Sequence, residues 1–214
     1  MTHRITALRT HFRNPGLVRV YVNQEQTFTV KLIDAANLKT GQELTADRMA
    51  WLRQKHESEE AYLRSIQYLA YRPRSRREIE QYLNKKKYPP EAVAETIRRL
   101  SEARLIDDES FANWWVGHRC RLKPRSRYAL RFELLQKGID EDIISAALAQ
   151  TDDSKMALAL LEARHKRWHR LDRNKKRQKI FAFLHRRGFR YDIAKSAYEQ
   201  FIQTTGERPD DFGL

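Results

Sequence analysis

The sequence predicts a mainly α chain: three tandem three-helix repeats forming a curved array, preceded by a small antiparallel β segment. Two observations carry that reading. The phrase Pro73-Arg74-Ser75-Arg76 returns as Pro124-Arg125-Ser126-Arg127, and superposing the two puts Ile79/Leu83 on Leu130/Leu134 and Val93/Ile97 on Ile144/Leu148 without a gap. A further copy, one residue shorter in spacing, supplies Ile180/Leu184, Gly188-Phe189 beneath Gly138-Ile139, and Ala194/Tyr198. Apolar residues four apart share one helix face, and self-similarity at a fixed period marks a repeat array. Ahead of Pro73 the period changes, because Val18, Val20 and Val22 alternate as a strand does.

Taken in order, residues 4–12, 17–23 and 27–33 read as strands, with turns at Asn14-Pro15-Gly16 and at Asn23 to Gln26. A meander of this size needs a platform, and Met49, Trp51 and Leu52 are positioned to provide one. Residues 38–45 read as a loop turning at Gly41, Thr45 as an N-cap, and residues 46–55 as a helix, with Glu57 to Glu60 capping the next. Repeat one then takes residues 61–71, 74–86 and 90–104, with Pro90 in a first helical turn.

Repeat two opens at Asp107-Asp108, whose carboxylates suit the free amides of a helix start, and continues through residues 125–137 and 140–149. Gly138 suits a left-handed helix end and Asp140 a cap. Repeat three takes residues 153–168, 173–187 and 191–203. The domain plan is therefore 1–45, a connecting helix at 46–60, repeats at 61–106, 107–152 and 153–204, and a loose tail at 205–214.

Composition sets the partner class. A chain of 214 residues with 41% hydrophobic content can bury a core, and a formal charge of +14 attracts polyanions or acidic protein surfaces. The single cysteine, Cys120, closes no intrachain disulfide, and no apolar run reaches membrane length, so a cytoplasmic protein with no membrane contact is expected. The first 24 residues lack Asp and Glu, as a transit peptide would, but the valine alternation favours a strand.

No catalytic centre or cofactor site is legible. The seven glycines form neither a P-loop nor a G-x-G-x-x-G turn. Glu162, His165 and His169 come nearest to a metal-ligand set, but Arg164, Lys166, Arg167 and Arg170 surround them and disfavour a cation. Asp107-Asp108-Glu109 reads as capping. Cys120, between Arg119 and Arg121, has no base-and-orienter pair and reads as a packed thiol. Trp114-Trp115 could stack on bases, but Phe111 and Trp115 lie four apart, the spacing of a buried stripe, so at least one tryptophan should be interior.

The basic residues carry the functional signal. Repeat alignment sets Arg74, Arg125 and Lys175 in equivalent places, and likewise Arg76, Arg127 and Arg177, giving basic loops as successive rungs. Between residues 164 and 190, twelve Lys or Arg stand against a single acid, Asp172, and the run ends in Arg186, Arg187 and Arg190. So one-sided a run points to a polyanion or acidic-protein contact.

Four phrases resemble the RecX family of regulatory proteins. They are Arg72-Pro73-Arg74-Ser75-Arg76-Arg77-Glu78-Ile79, Leu105 to Ala112 (LIDDESFA) followed by Trp115-Val116, Leu134-Leu135-Gln136-Lys137-Gly138-Ile139, and Phe183-Leu184-His185-Arg186-Arg187-Gly188-Phe189. The resemblance covers roughly residues 60–203. It implies a non-enzymatic monomer that binds the groove of the RecA filament on single-stranded DNA and modulates, usually downward, ATP hydrolysis, strand exchange and RecA-assisted repressor cleavage. Two departures stand out: Lys87-Tyr88 replaces Gly-Ile or Gly-Phe, and Ser126 stands where many relatives carry glycine. Both concern loop geometry. A direct DNA- or RNA-binding protein, with one helix of a repeat as reader, is the alternative, and a scaffold for another assembly is a third.

Overall fold

The computed structural model describes residues 3–12, 14–168 and 171–204. It forms two compact units, residues 1–106 and 107–214. The tail expected to be loose, residues 205–214, lies outside the described residues, as do His169 and Arg170.

In the first unit, strands β1 (His3–His11), β2 (Asn14–Val22), β3 (Glu25–Lys31) and β4 (Glu43–Leu44) form one antiparallel sheet in the order β3-β2-β1-β4. Asn23 and Gln24, at φ 52 and 74, make the two-residue turn that matches the twist of a hairpin. Val18, Val20 and Val22 all face inward with Ile5, Phe28, Val30 and Leu44. A single helical turn, α1 (Leu32–Ala35), replaces the predicted end of the third strand, and β4 lies within the predicted 38–45 loop.

Helix α2 (Ala46–Leu69) is continuous, starting where the Arg48 N–H donates to Thr45 Oγ1 at 3.2 Å. This corrects the expected break at Glu57 to Glu60. Those acids serve side-chain pairs rather than a cap: Glu59 meets Lys31 at 2.8 Å and Arg99 at 3.0 Å, and Glu60 meets Arg64 one turn on at 2.8 Å. The two partners hold the Glu59 carboxyl below its ordinary value against the opposing effect of burial, which is the largest single influence. Leu52 is buried under the sheet with Met49 beside it, whereas Trp51 faces outward beneath the Arg48 guanidinium, 4.2 Å from the ring centre.

Helices α3 (Arg76–Lys85) and α4 (Pro90–Glu102) complete the first repeat over Ala61, Ile79, Leu83, Val93, Ile97 and Leu100. Ser75 and Glu78 exchange side-chain-to-backbone bonds in a capping box, which satisfies two free amides at the start of α3.

The second unit carries α5 (Asp108–Leu122), α6 (Arg127–Gln136), α7 (Glu141–Leu148), α8 (Asp153–Glu162), a 3-10 turn at His165–Arg167, α9 (Arg173–His185) and α10 (Tyr191–Thr204). Asp107 accepts from the Glu109 and Ser110 amides at 3.1 and 3.2 Å, so the acidic cluster caps α5. Asp140 holds the N-cap position of α7 without a side-chain cap bond. Repeat two closes over Phe111, Ala112, Val116, Leu130, Leu134, Ile139, Ile144 and Leu148. Repeat three closes over Leu160, Leu161, Trp168, Ile180, Phe183, Leu184, Phe189, Tyr198 and neighbours. The buried tryptophan is thus Trp168, while Trp114 and Trp115 are only partly covered.

The middle helix of each repeat ends in the same way. Lys87, Gly138 and Gly188 are left-handed at φ 64, 76 and 85, and the next amide, of Tyr88, Ile139 or Phe189, donates back to the carbonyl of Leu83, Leu134 or Leu184 at 3.1 to 3.3 Å. This bond is the helix-ending motif that glycine favours, and Lys87 adopts it without being glycine. The starts of these helices differ. Ser75 and Ser126 cap α3 and α6 four residues ahead of Ile79 and Leu130, but α9 begins a turn earlier, at Asp172, which accepts from the Lys175 amide at 3.0 Å. Lys176 then fills the buried place of the serines, at 4% exposure. Lys175 and Arg177 therefore lie within α9, as the helix expected over residues 173–187 requires, so the third basic rung is presented by a helix and not by a loop.

Candidate partner-binding surface

Each predicted contact residue has a definite setting. Arg74 is half-buried and lies over Tyr68, 3.9 Å from the ring centre, and Tyr68 itself stacks on Tyr82 at 4.2 Å. Its Nε is buried without a hydrogen bond, so Arg74 braces the repeat-one core and presents only part of its guanidinium. Arg76 and Arg127 are both exposed at the first position of α3 and α6.

Arg125 leans back onto Glu133 at 3.2 Å, and Glu133 also accepts from Trp115 Nε1 and Arg119 Nε, each at 2.8 Å. Satisfying its indole N–H keeps Trp115 at the rim of the core rather than inside it. Lys175 is well exposed and 3.3 Å from Asp172, Arg177 lies 5.7 Å from the centre of the Phe181 ring, and Arg190 lies 3.6 Å from Asp192.

Two of the predicted groups meet. The Ser126 amide donates to the Arg187 carbonyl at 3.0 Å, and the Ser126 hydroxyl donates to the Gly188 carbonyl at 2.7 Å while accepting from the Ala129 amide at 3.2 Å. These bonds pin the 125–127 segment of repeat two against the 186–188 turn of repeat three. Beside the joint is an open cleft of about 690 Å³ whose lining includes Arg125, Arg186, His185 and the side chains of Tyr128 and Phe132. Tyr128 and Phe132 are 74% and 56% exposed, an aromatic pair one turn apart on α6 that sequence reasoning did not single out.

A second cleft, of about 460 Å³, is lined by Arg164, Arg167, Lys179, Arg186 and Arg187 around Trp168, Leu171, Ala182 and Phe183. Burial, together with the guanidinium groups of Arg164, Arg125, Arg186 and Arg167, pushes Arg187 below the usual arginine value. Its guanidinium lies 3.9 Å from the centre of the Phe183 ring and stays charged. Arg164, Arg167 and Lys179 were legible only as members of the basic run, since charge counting does not show concavity.

Of the Glu162, His165 and His169 set considered from sequence, His169 lies outside the described residues. No cluster of three or more metal-ligating side chains occurs among the described residues, and His165 Nδ1 contacts the Glu162 carbonyl at 3.2 Å. Burial pushes the Cys120 thiol up, and its Sγ packs 3.5 Å from Met156 Sδ. Among the described residues, no helix is long and apolar enough to cross a membrane.

Comparison with known proteins agrees with this architecture repeat by repeat. Family models describing the first, second and third three-helix domains of RecX match residues 61–100, 107–148 and 151–198. A regulatory protein RecX of Chlorobium phaeobacteroides is 38% identical over 150 residues, covering 69% of this chain and 97% of its own length. The regulatory protein RecX of Bacillus subtilis is 28% identical over 201 residues, covering 92% of this chain and 76% of its own. A crystal structure of a regulatory protein RecX matches with a TM-score of 0.65 at 24% identity, over 94% of this chain and 99% of the other. The RecX of Lactobacillus salivarius matches with a TM-score of 0.58 at 25% identity, over 69% of this chain and 97% of the other. With all three repeats matched in order, the chain belongs to the RecX family of regulatory proteins.

Proposed function

We propose that this chain is a non-enzymatic regulator that binds the RecA filament on single-stranded DNA and lowers its ATPase, strand-exchange and co-protease activities. The observation that supports this most is the joint at Ser126, which sets cations of two consecutive repeats, Arg125 and Arg127 with Arg186 and Arg187, side by side. A repeated polymer is best gripped by repeated contacts, because several weak contacts on a rigid body add up to avidity. Exposed cations contribute more to encounter and orientation than to folding.

The chain then acts by occupying the filament and has no chemistry of its own. The test is RecA ATPase on single-stranded DNA, titrated with this protein. Falling ATPase at or below one copy per RecA supports the reading, and an unchanged rate despite saturating protein refutes it.

A further inference from the structure

The repeat-three cleft gathers five cations, Arg164, Arg167, Lys179, Arg186 and Arg187, and among the described residues no carboxylate lines it. Like charges held together without a counter-charge repel, and the repulsion is relieved when an acidic group lies among them. The cleft is also apolar in part, since Leu171, Ala182 and the rings of Trp168 and Phe183 line it. The occupant that fits is therefore a short acidic segment carrying an apolar side chain. The chain supplies one. Residues 205–214 set Glu207, Asp210 and Asp211 against a single base, Arg208, and Phe212 follows the acids directly. Acidic clusters elsewhere are already committed: Asp107 and Asp152 cap α5 and α8, and Glu59 and Glu60 pair with cations.

Placement makes the match local. Helix α10 ends at Thr204, and Phe201, in its last turn, meets Trp168 edge to face with ring centres 6.5 Å apart. Trp168 in turn lines the cleft. An extended chain gains at most about 3.3–3.6 Å per residue, so Asp210, six residues beyond Thr204, has a reach of about 20 Å. So short a tether holds the acids near the cations at an effective concentration on the order of millimolar, at which a few exposed ion pairs suffice. We propose that residues 205–214 dock in the repeat-three cleft of the same molecule and screen Lys179 and Arg186 from outside anions. The proposal goes beyond the filament reading and does not depend on it. Because Arg186 and Arg187 are contact residues in that reading, docking regulates how readily they are offered, yet either idea can fail without the other.

The experiment is carbodiimide coupling of the full chain at low salt, which joins a lysine amine to a carboxylate only where the two touch, with peptide mass spectrometry of the monomer band. Lys175 and Asp172, 3.3 Å apart, provide the internal standard. Lys179 should couple to Glu207, Asp210 or Asp211 with a yield unchanged by dilution, and the exposed Lys39 and Lys155 should not. Arg167→Gln/Arg186→Gln keeps the amine and removes two exposed cations, and far-UV circular dichroism checks that its helices remain. At about two- to fivefold per exposed pair, the Lys179 yield should fall about fivefold or more in this variant. Neutralising the segment with Glu207→Gln/Asp210→Asn/Asp211→Asn should speed acetylation of Lys179 about threefold and leave Lys39 unchanged, because a nearby carboxylate covers the amine and holds it protonated. No Lys179 coupling while the standard forms would overturn the proposal, as would coupling of the segment to Lys39 or Lys155 just as readily, or coupling only between two molecules. A Lys179 yield indifferent to the arginines, or an acetylation rate indifferent to the acids, would overturn it equally.

Discussion

Replacing Gly188 with alanine perturbs both the end of α9 and the joint between repeats two and three. At φ +85 any Cβ is strained, and here it would also sit 2.6 Å from Ser126 Oγ and 2.8 Å from Ala129 Cβ. Ser126 cannot simply turn away, because its hydroxyl donates to the Gly188 carbonyl at 2.7 Å and accepts from the Ala129 amide at 3.2 Å. The left-handed backbone costs about 1–2 kcal/mol, close packing about 1–3 kcal/mol, and a lost hydrogen bond about 0.5–1.5 kcal/mol. These overlap, so the expected loss is about 2–4 kcal/mol. The left-handed turn alone is tolerable, as Lys87 demonstrates at φ 64, so the approach of Ser126 decides the magnitude. Urea denaturation followed by tryptophan fluorescence and circular dichroism measures it. Gly117→Ala, in α5 with nothing within 4 Å of the added carbon, is the contrast and should gain about 0.5–1 kcal/mol. A Gly188→Ala midpoint as high as that of Gly117→Ala would refute the reasoning.

Two further perturbations address the repeats themselves. Leu134→Ala removes a side chain with 0% exposure from the repeat-two core and should cost about 2–5 kcal/mol, read from the same denaturation curves; an unchanged midpoint would contradict its packing. Asp107→Ala removes two cap bonds and should cost about 1 kcal/mol at neutral pH. The hydrogen bonds to Ser110 and Glu109 hold the Asp107 carboxyl below its ordinary value. Its contribution is therefore complete above the unfolded value near 4 and disappears as pH falls through the lower folded value, so wild type and variant should converge in acid. Divergence in acid would contradict the cap.

Legibility followed the range of the forces. The apolar pairs and left-handed helix ends were readable because both depend on residues within one turn, and the repeat alignment even located Lys87 at a position that is glycine elsewhere. The unbroken α2 was not readable. Four residues that look like a capping cluster, Glu57 to Glu60, include two that meet cations, and Lys31 and Arg99 are distant in sequence. The start of α9 was legible, since the helix expected over residues 173–187 begins directly after Asp172, its cap, whereas the alignment of basic residues by itself set Lys175 in a loop beside Arg125. Trp115 was misjudged because helical spacing shows the face of a residue but not whether its N–H needs a rim position beside Glu133. The candidate surface was legible as charge and not as shape, since the cleft depends on Trp168 and Phe183 packing beneath the basic run.

The most direct measurement of the central claim is binding of the chain to RecA filaments on single-stranded DNA across a salt series, for wild type and charge variants. Arg125→Glu would set a second carboxylate against Glu133, so Arg125→Gln/Arg127→Glu is the cleaner first variant, with Lys175→Glu/Arg177→Glu added to it in the second. Wild type should bind the filament more tightly than the bare strand, the first variant more weakly, the second more weakly still, and the differences should shrink as salt screens them. Equal filament binding by all three proteins at low salt would contradict the claim that these cations form the contact surface.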